Sequence, residues 1–280
     1  MQLTERVRNI IRVIHRHRFL RSHQIVSLVG GSPQQVLRRL NLLYHHGYVE
    51  RPRAQLQYYE RGGSRSIAYG LGNKGWALLR REPGMDIRSG SWNGKNTAIG
   101  RMFLEHALLV SDVMVTIELA CRRHGAVQLI HEDQLSLPSQ WRVKIGNGPR
   151  LGVIPDRLFA LEYTGQEGQS ERAYFFLEAD RGTMPVIRSN YSQTSFFRKL
   201  LAYEATWTQK IHQRKLGIPR FRVLAVTTSP LRVKSLLEAC SQLKRGHGLF
   251  LFADRLVLDT DVLAPVWING KQGDIGSLLD

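Results

Sequence analysis

The chain has 280 residues, room for two modest domains, and its 42% hydrophobic and 22% charged residues exclude a largely disordered protein. Its charge is unusual: 40 Lys and Arg oppose 23 Asp and Glu, a net +17 with a sequence pI near 10.4, which favours a polyanion and nucleic acid first among them. No apolar run of about 18 residues offers a membrane span, and Met1–Glu5 lacks a secretory pattern, so a cytoplasmic protein with no membrane partner is expected. Cys121 and Cys240 stand alone in apolar helical patterns and read as buried reduced thiols, neither a disulfide framework nor a zinc site.

The positive charge is uneven. Residues 1–91 hold 16 Lys and Arg against 5 Asp and Glu, a net +11, whereas residues 92–280 hold 24 against 18, a net +6. The first third of the chain is therefore where a nucleic-acid surface is expected.

Thr4 caps a predicted helix running to Phe19, with Val7, Ile10, Ile11 and Ile14 as its apolar stripe and Arg6, Arg8, Arg12 and Arg16 opposite. Ser22 opens a second, short helix, with Ile25, Val26 and Leu28 inward, that Gly30 and Gly31 stop. Ser32 and Pro33 read as an N-cap and first-turn proline for a third helix to about His46, burying Val36, Leu37, Leu40 and Leu43, with Gly47 as its C-cap. Tyr48–Arg51 and Ser66–Leu71 then read as two strands joined by a basic loop, and Asn73–Gly75 opens a further short helix.

Three helices followed by a basic hairpin predict a winged helix-turn-helix over residues 1–81. Near the start of the third helix the outward side chains are Gln34, Gln35, Arg38 and Arg39, residue types that can pair with adenine and guanine edges. Arg51, Arg53, Arg61 and Arg65 in the wing can reach phosphate or a minor groove. The alternatives are a solvated arginine face and a winged helix that mediates protein contacts. The stretch Leu40–Arg51 resembles the helix-to-wing junction of many bacterial winged-helix regulators. His15, His17, His45 and His46 lack companions at metal-ligand spacing and are not read as a metal site.

From Glu82 to Ala98 the composition shifts to Gly, Ser, Asn and charge, which predicts a linker over 82–98. A strongly apolar helix follows over Arg101–His124. Strands are predicted over Val127–Leu137, Gly152–Tyr163, Ala173–Ala179, Phe221–Thr227 and Gly248–Leu258, with helices over Ser189–Lys215 and Leu231–Arg245, a mixed α/β order for residues 99–280.

Pro155 and Asp156 open one strand, and Glu178 stands near the end of the next. This pattern resembles the PD-(D/E)xK nuclease core and implies a restriction-endonuclease-like α/β domain. Such a core uses Asp156, Glu178 and Asp180 as its catalytic set, and Asp156 and Glu178 to hold Mg²⁺ or Mn²⁺, hard cations that prefer oxygen ligands. Asp180 occupies the position where a lysine would assist the nucleophile. Lys199 or Arg181 would have to replace it, and Glu105 could add a carboxylate. The bland alternative is that Asp156 and Glu178 only tie strand ends to Arg157 or Arg181.

Over roughly residues 1–210 the order of features is similar to the replication-relaxation family of bacterial mobile elements. Leu104–His106, Val110–Val113, Pro155–Asp156, the run Glu178–Thr183 and Lys199 to Tyr203 carry the resemblance. It implies plasmid or integrative-element DNA as the setting. A DNA-binding regulator or accessory factor with a degenerate nuclease-like domain is therefore expected, needing no cofactor to bind double-stranded DNA. A homodimer or other mobile-element proteins are its further partners. The alternative is a metal-dependent endonuclease targeted by its winged helix.

Overall fold

The computed structural model describes residues 2–56, 66–82, 99–145, 150–165, 168–189, 193–271 and 273–279. The chain is mixed α/β and forms two compact units, Met1–Val115 and Thr116–Asp280. Of the predicted linker only Glu82 is described, and the division between the units falls within one long helix.

In the first unit, α1 (Glu5–His17), β1 (Phe19–Arg21), α2 (Ser22–Val29), α3 (Pro33–His45), β2 (Val49–Glu50), β3 (Ala68–Leu71) and α4 (Asn73–Leu79) follow one another. Thr4 caps α1 by accepting a hydrogen bond from the Val7 amide at 3.4 Å. The helix ends before the predicted Phe19. Arg18 turns to φ 69°, and Phe19–Arg21 becomes an edge strand paired antiparallel with Ala68–Gly70. β2 pairs with the other edge of β3, giving a sheet in the order β1-β3-β2. Gly30 and Gly31 adopt positive φ between α2 and α3, a backbone region that costs glycine little. The Gln55 side chain locks the hairpin root, accepting from the Ala68 amide at 2.8 Å and donating to the Ala68 carbonyl at 3.1 Å.

The long helix α5 (Arg101–His124) begins in this unit. Leu104 and Leu108 pack with Phe19 and Ala68. The Ser111 hydroxyl donates toward the carbonyls of Phe19 (2.6 Å) and His17 (3.1 Å), and Asp112 accepts from Arg21 and from Gln24 (2.7 Å). Ser111 and Asp112 thus hold the helix to the strand that the sequence did not reveal.

The second unit contains β4 (Val127–His131), β5 (Trp141–Lys144), β6 (Arg150–Val153), β7 (Arg157–Thr164), β8 (Ser170–Ala179), α6 (Phe196–Thr208), α7 (Ile211–Arg214), β9 (Arg222–Thr227), α8 (Pro230–Cys240), β10 (Phe250–Asp254), β11 (Trp267–Asn269) and β12 (Ile275–Gly276). Neighbouring strands are antiparallel from β4 through β7 to β8, parallel from β8 through β9 to β10, and antiparallel again from β10 through β11 to β12, and the sheet reads β12-β11-β10-β9-β8-β7-β4.

Several predicted elements are shorter than expected. The strand over 152–163 is split into β6 and β7 around Pro155, which has no amide to donate to a ladder. Lys210, in a left-handed conformation, divides the 189–215 helix into α6 and α7. The 127–137 and 248–258 strands end in single turns of 3₁₀ helix.

Alternation along β7 and β8 sets the layers. Leu158, Ala160 and Phe176 join Leu200 and Tyr203 of α6 and Leu236 of α8 in one large core. Phe159 and Phe175 face the other way and stack with centroids 5.1 Å apart. Glu178 and Asp180 follow Phe176 at two-residue steps and so turn toward the helices α6 and α8.

Candidate functional site

The outward side of α3 is the first candidate. Val36, Leu40 and Leu43 are buried at the 3.6-residue period, leaving Gln34, Gln35 and Arg38 exposed in the first two turns. Arg39 is half-buried and reaches Gln35 Oε1 at 3.4 Å. Leu37, expected inside, is 45% exposed. It lies about 100° around the helix from Val36, beyond the buried stripe and beside Gln34.

The arginines expected in a wing differ among themselves. Arg51 is bound within the unit: its guanidinium lies 4.2 Å from the Tyr44 ring and 5.3 Å from the Tyr69 ring, and donates to Asn41 Oδ1 at 2.9 Å and to the Tyr69 hydroxyl at 3.2 Å. It pins the end of α3 to β3. Arg53 is exposed, and Arg61 and Arg65 lie outside the described residues. On α1, Arg8 and Arg12 meet Glu82 at 3.2 and 2.8 Å. The Arg12 hydrogen bond, followed by that of Arg8, holds the Glu82 carboxyl below its ordinary range against the opposing effect of burial.

The second candidate is the carboxylate cluster at the ends of β7 and β8. Asp156 donates its amide to the Leu177 carbonyl at 3.0 Å, and its Oδ2 accepts from the Ala179 amide at 2.8 Å. Glu178, 2% exposed, has both oxygens engaged: Oε2 by Lys199 Nζ at 2.5 Å and Oε1 by the Tyr203 hydroxyl at 2.6 Å. Lys199 and Tyr203 are four residues apart on α6 and so emerge on one face.

Burial pushes the Glu178 carboxyl up, and Lys199 opposes that push. Burial pulls the Lys199 ammonium down, but Glu178 and then Asp156 outweigh it and hold it above its ordinary value. Burial and Glu178 together drive the Tyr203 phenol well up. The cation beside Glu178 thus comes from α6, as Lys199.

Asp180 stands just past β8 and serves a different neighbourhood. Its Oδ2 accepts from Arg232 Nε at 2.8 Å and the Thr227 hydroxyl at 2.9 Å, and its Oδ1 accepts from the Gly182 amide at 3.1 Å and Arg232 Nη2 at 3.3 Å. It therefore ties β8 to β9 and α8. Gly182 turns with φ 71°, and a Cβ there would come within 3.1 Å of the Thr228 hydroxyl. Sequence reasoning missed Arg232 and Thr227; 52 and 47 residues beyond Asp180, they carry no local signal. Glu105 receives a hydrogen bond from Arg101 at 2.8 Å.

Among the described residues no group of three or more His, Cys, Asp and Glu is gathered for a metal ion. A divalent cation at Asp156 and Glu178 would have to displace Lys199 and Tyr203 from a buried carboxylate. The residues as placed do not fit one. Cys121 and Cys240 are buried and free, and burial pushes both thiols up to about 12, which keeps them protonated and unreactive. No helix among the described residues is long and apolar enough to cross a membrane.

The family model described as replication-relaxation matches residues 11–220. No curated protein and no solved structure matches the chain.

Proposed function

The chain belongs to the replication-relaxation family, and from that premise we propose that it binds double-stranded DNA as an accessory factor or regulator of a plasmid or other mobile element. In this reading residues 1–81 act as a winged helix-turn-helix, with α3 in the major groove and the β2–β3 hairpin as the wing. The carrying observation is the outward face of α3: Gln34, Gln35 and Arg38 are exposed at its start, on the part of the chain that holds net +11. Such side chains can read base edges, while Arg53, Arg61 and Arg65 would supply phosphate contacts. Arg51 contributes by fixing the helix to the hairpin.

Residues 99–280 are read as a restriction-endonuclease-like domain that no longer cleaves and that serves a second copy or another mobile-element protein. Asp156 just before β7 and Glu178 on the adjacent β8, with a lysine from the next helix, support that ancestry. The engagement of both Glu178 oxygens supports inactivity, because a metal site needs carboxylate oxygens free to bind.

Anisotropy titrations of labelled duplex at rising salt test the DNA reading. The expected slope of log K against log salt is about −0.9 per phosphate contacted, and a flat response would sink it. One observation favours the endonuclease alternative: Lys199 sits on Glu178. Nicking of supercoiled plasmid in Mg²⁺ or Mn²⁺, abolished by Asp156→Ala, would establish that alternative. Intact plasmid at millimolar Mn²⁺ is the outcome expected here.

A further inference from the structure

A cleft in the second unit lies away from the carboxylates. Tyr174, on its wall, precedes Glu178 by four residues of β8, about 13 Å along the strand. The other defining residues are Trp207 at the end of α6, Phe221, Arg220, Arg222 and Leu249. Its volume, about 300 Å³, suits one planar group and not a chain of them.

Trp207 is 37% exposed although it packs against Phe221 of the large core. One face of its indole is covered by His212, with centroids 4.7 Å apart and planes 8° apart, and Phe221 meets it nearly edge-on at 6.0 Å. The ring is thus fixed in orientation by neighbours that do not cover it completely.

The charge of the cleft is one-sided. Arg222 is tethered to the Ser277 carbonyl at 3.2 Å, and the Arg220 side chain is 64% exposed, with Glu171 only at 3.8 Å. No carboxylate side chain is among the described residues that line it.

We propose that this cleft binds a nucleobase of single-stranded DNA, stacked on Trp207, with Arg220 and Arg222 meeting the adjoining phosphate. A rigid aromatic beside two cations is the recognition chemistry of an unpaired nucleotide: every base has a π-face, and its phosphate is the anion. A duplex keeps its bases stacked on each other and must unstack one before it can reach the ring. The cleft belongs to the second unit, whereas α3 belongs to the first.

The test uses the full chain and a labelled twelve-residue oligothymidylate, with labelled duplex as the control. Trp207→Leu keeps apolar bulk but removes the π-face. It should weaken oligothymidylate binding by about 5- to 150-fold, while Trp207→Phe retains most of it and duplex binding is unchanged in both. Arg220→Gln, at an exposed position, should lower the single-strand salt slope by about 0.7, and it decides the matter if Trp207→Leu fails to fold. Competition by deoxythymidine monophosphate would show that a free nucleotide suffices. Competition by the oligonucleotide alone would show that the strand is needed. Either outcome keeps a base in the cleft.

Wild-type protein that binds duplex but not oligothymidylate would overturn the proposal and leave the duplex reading standing. Equal binding by wild type, Trp207→Leu and Arg220→Gln would overturn it as well, as would a docked peptide that competes where nucleotides do not. Loss of binding to both nucleic acids would instead count against the DNA reading as a whole.

Discussion

The outward face of α3 and the carboxylate cluster on β7 and β8 are both polar, and both stand out in the sequence, yet their surroundings are opposite. Gln34, Gln35 and Arg38 are exposed, so solvent satisfies them and folding asks nothing of them. Glu178 and Asp180 are 2% and 6% exposed, and each of their oxygens already accepts a hydrogen bond from the protein. A buried charge without partners is costly, so this network is needed for the fold whatever else it does. Polar residues that the fold does not need are available to a partner, and residues that it does need are poor evidence for chemistry.

That contrast can be broken most decisively at Glu178. Glu178→Ala leaves Lys199 and Tyr203 without their acceptor and should cost about 3–5 kcal/mol of stability in denaturant unfolding. A loss below about 1 kcal/mol would mean that the cluster is dispensable to folding and free for function. Arg38→Ala should do the converse. Unfolding should be unchanged, while affinity for a selected duplex falls by about 1–3 kcal/mol and non-specific affinity falls less. Equal losses on specific and random duplex would make Arg38 a phosphate contact.

A smaller effect is expected at Asp112, which receives Arg21 and Gln24 while remaining partly exposed. Asp112→Ala should destabilise the first unit by about 1–2 kcal/mol, read by thermal melting. The smallest effect concerns Glu82. Its folded pKa lies below the unfolded 4.5, so its stabilisation is present above pH 4.5 and is lost as pH falls through the lower folded value. Acid unfolding should be shallower in Glu82→Gln. An unchanged acid limb would mean that the Arg8 and Arg12 contacts are worth little.

What was readable in the sequence was mostly local. Thr4, Gly30, Ser32 and Pro33 mark helix ends through their own side-chain and backbone chemistry, and α5 spans the expected Arg101–His124. Phe19–Arg21 was not readable, because its apolar character continues the α1 pattern and its partner β3 is some fifty residues away. Leu37 misled because three-residue spacing to Leu40 suggests a shared face, although the stripe runs through Val36 instead. Asp156, Glu178 and Lys199 could be singled out as types. Their saturation could not, since it depends on how α6 and α8 dock on the sheet. Asp180 shows this most clearly, because its chief partner, Arg232, lies on α8.

Arg51, held between Tyr44 and Tyr69, bears on the thermodynamics of docking. A surface whose helix and hairpin are already fastened together need not order itself when a ligand arrives, so little conformational entropy is lost on association. Heat-capacity changes should then reflect the area buried, without the large extra term of a segment that folds as it binds. Arg51→Ala would free the α3–hairpin angle. A ligand engaging both would then have to select the aligned members of a broader population, and its apparent affinity would fall in proportion to their share although no contact with it had been removed.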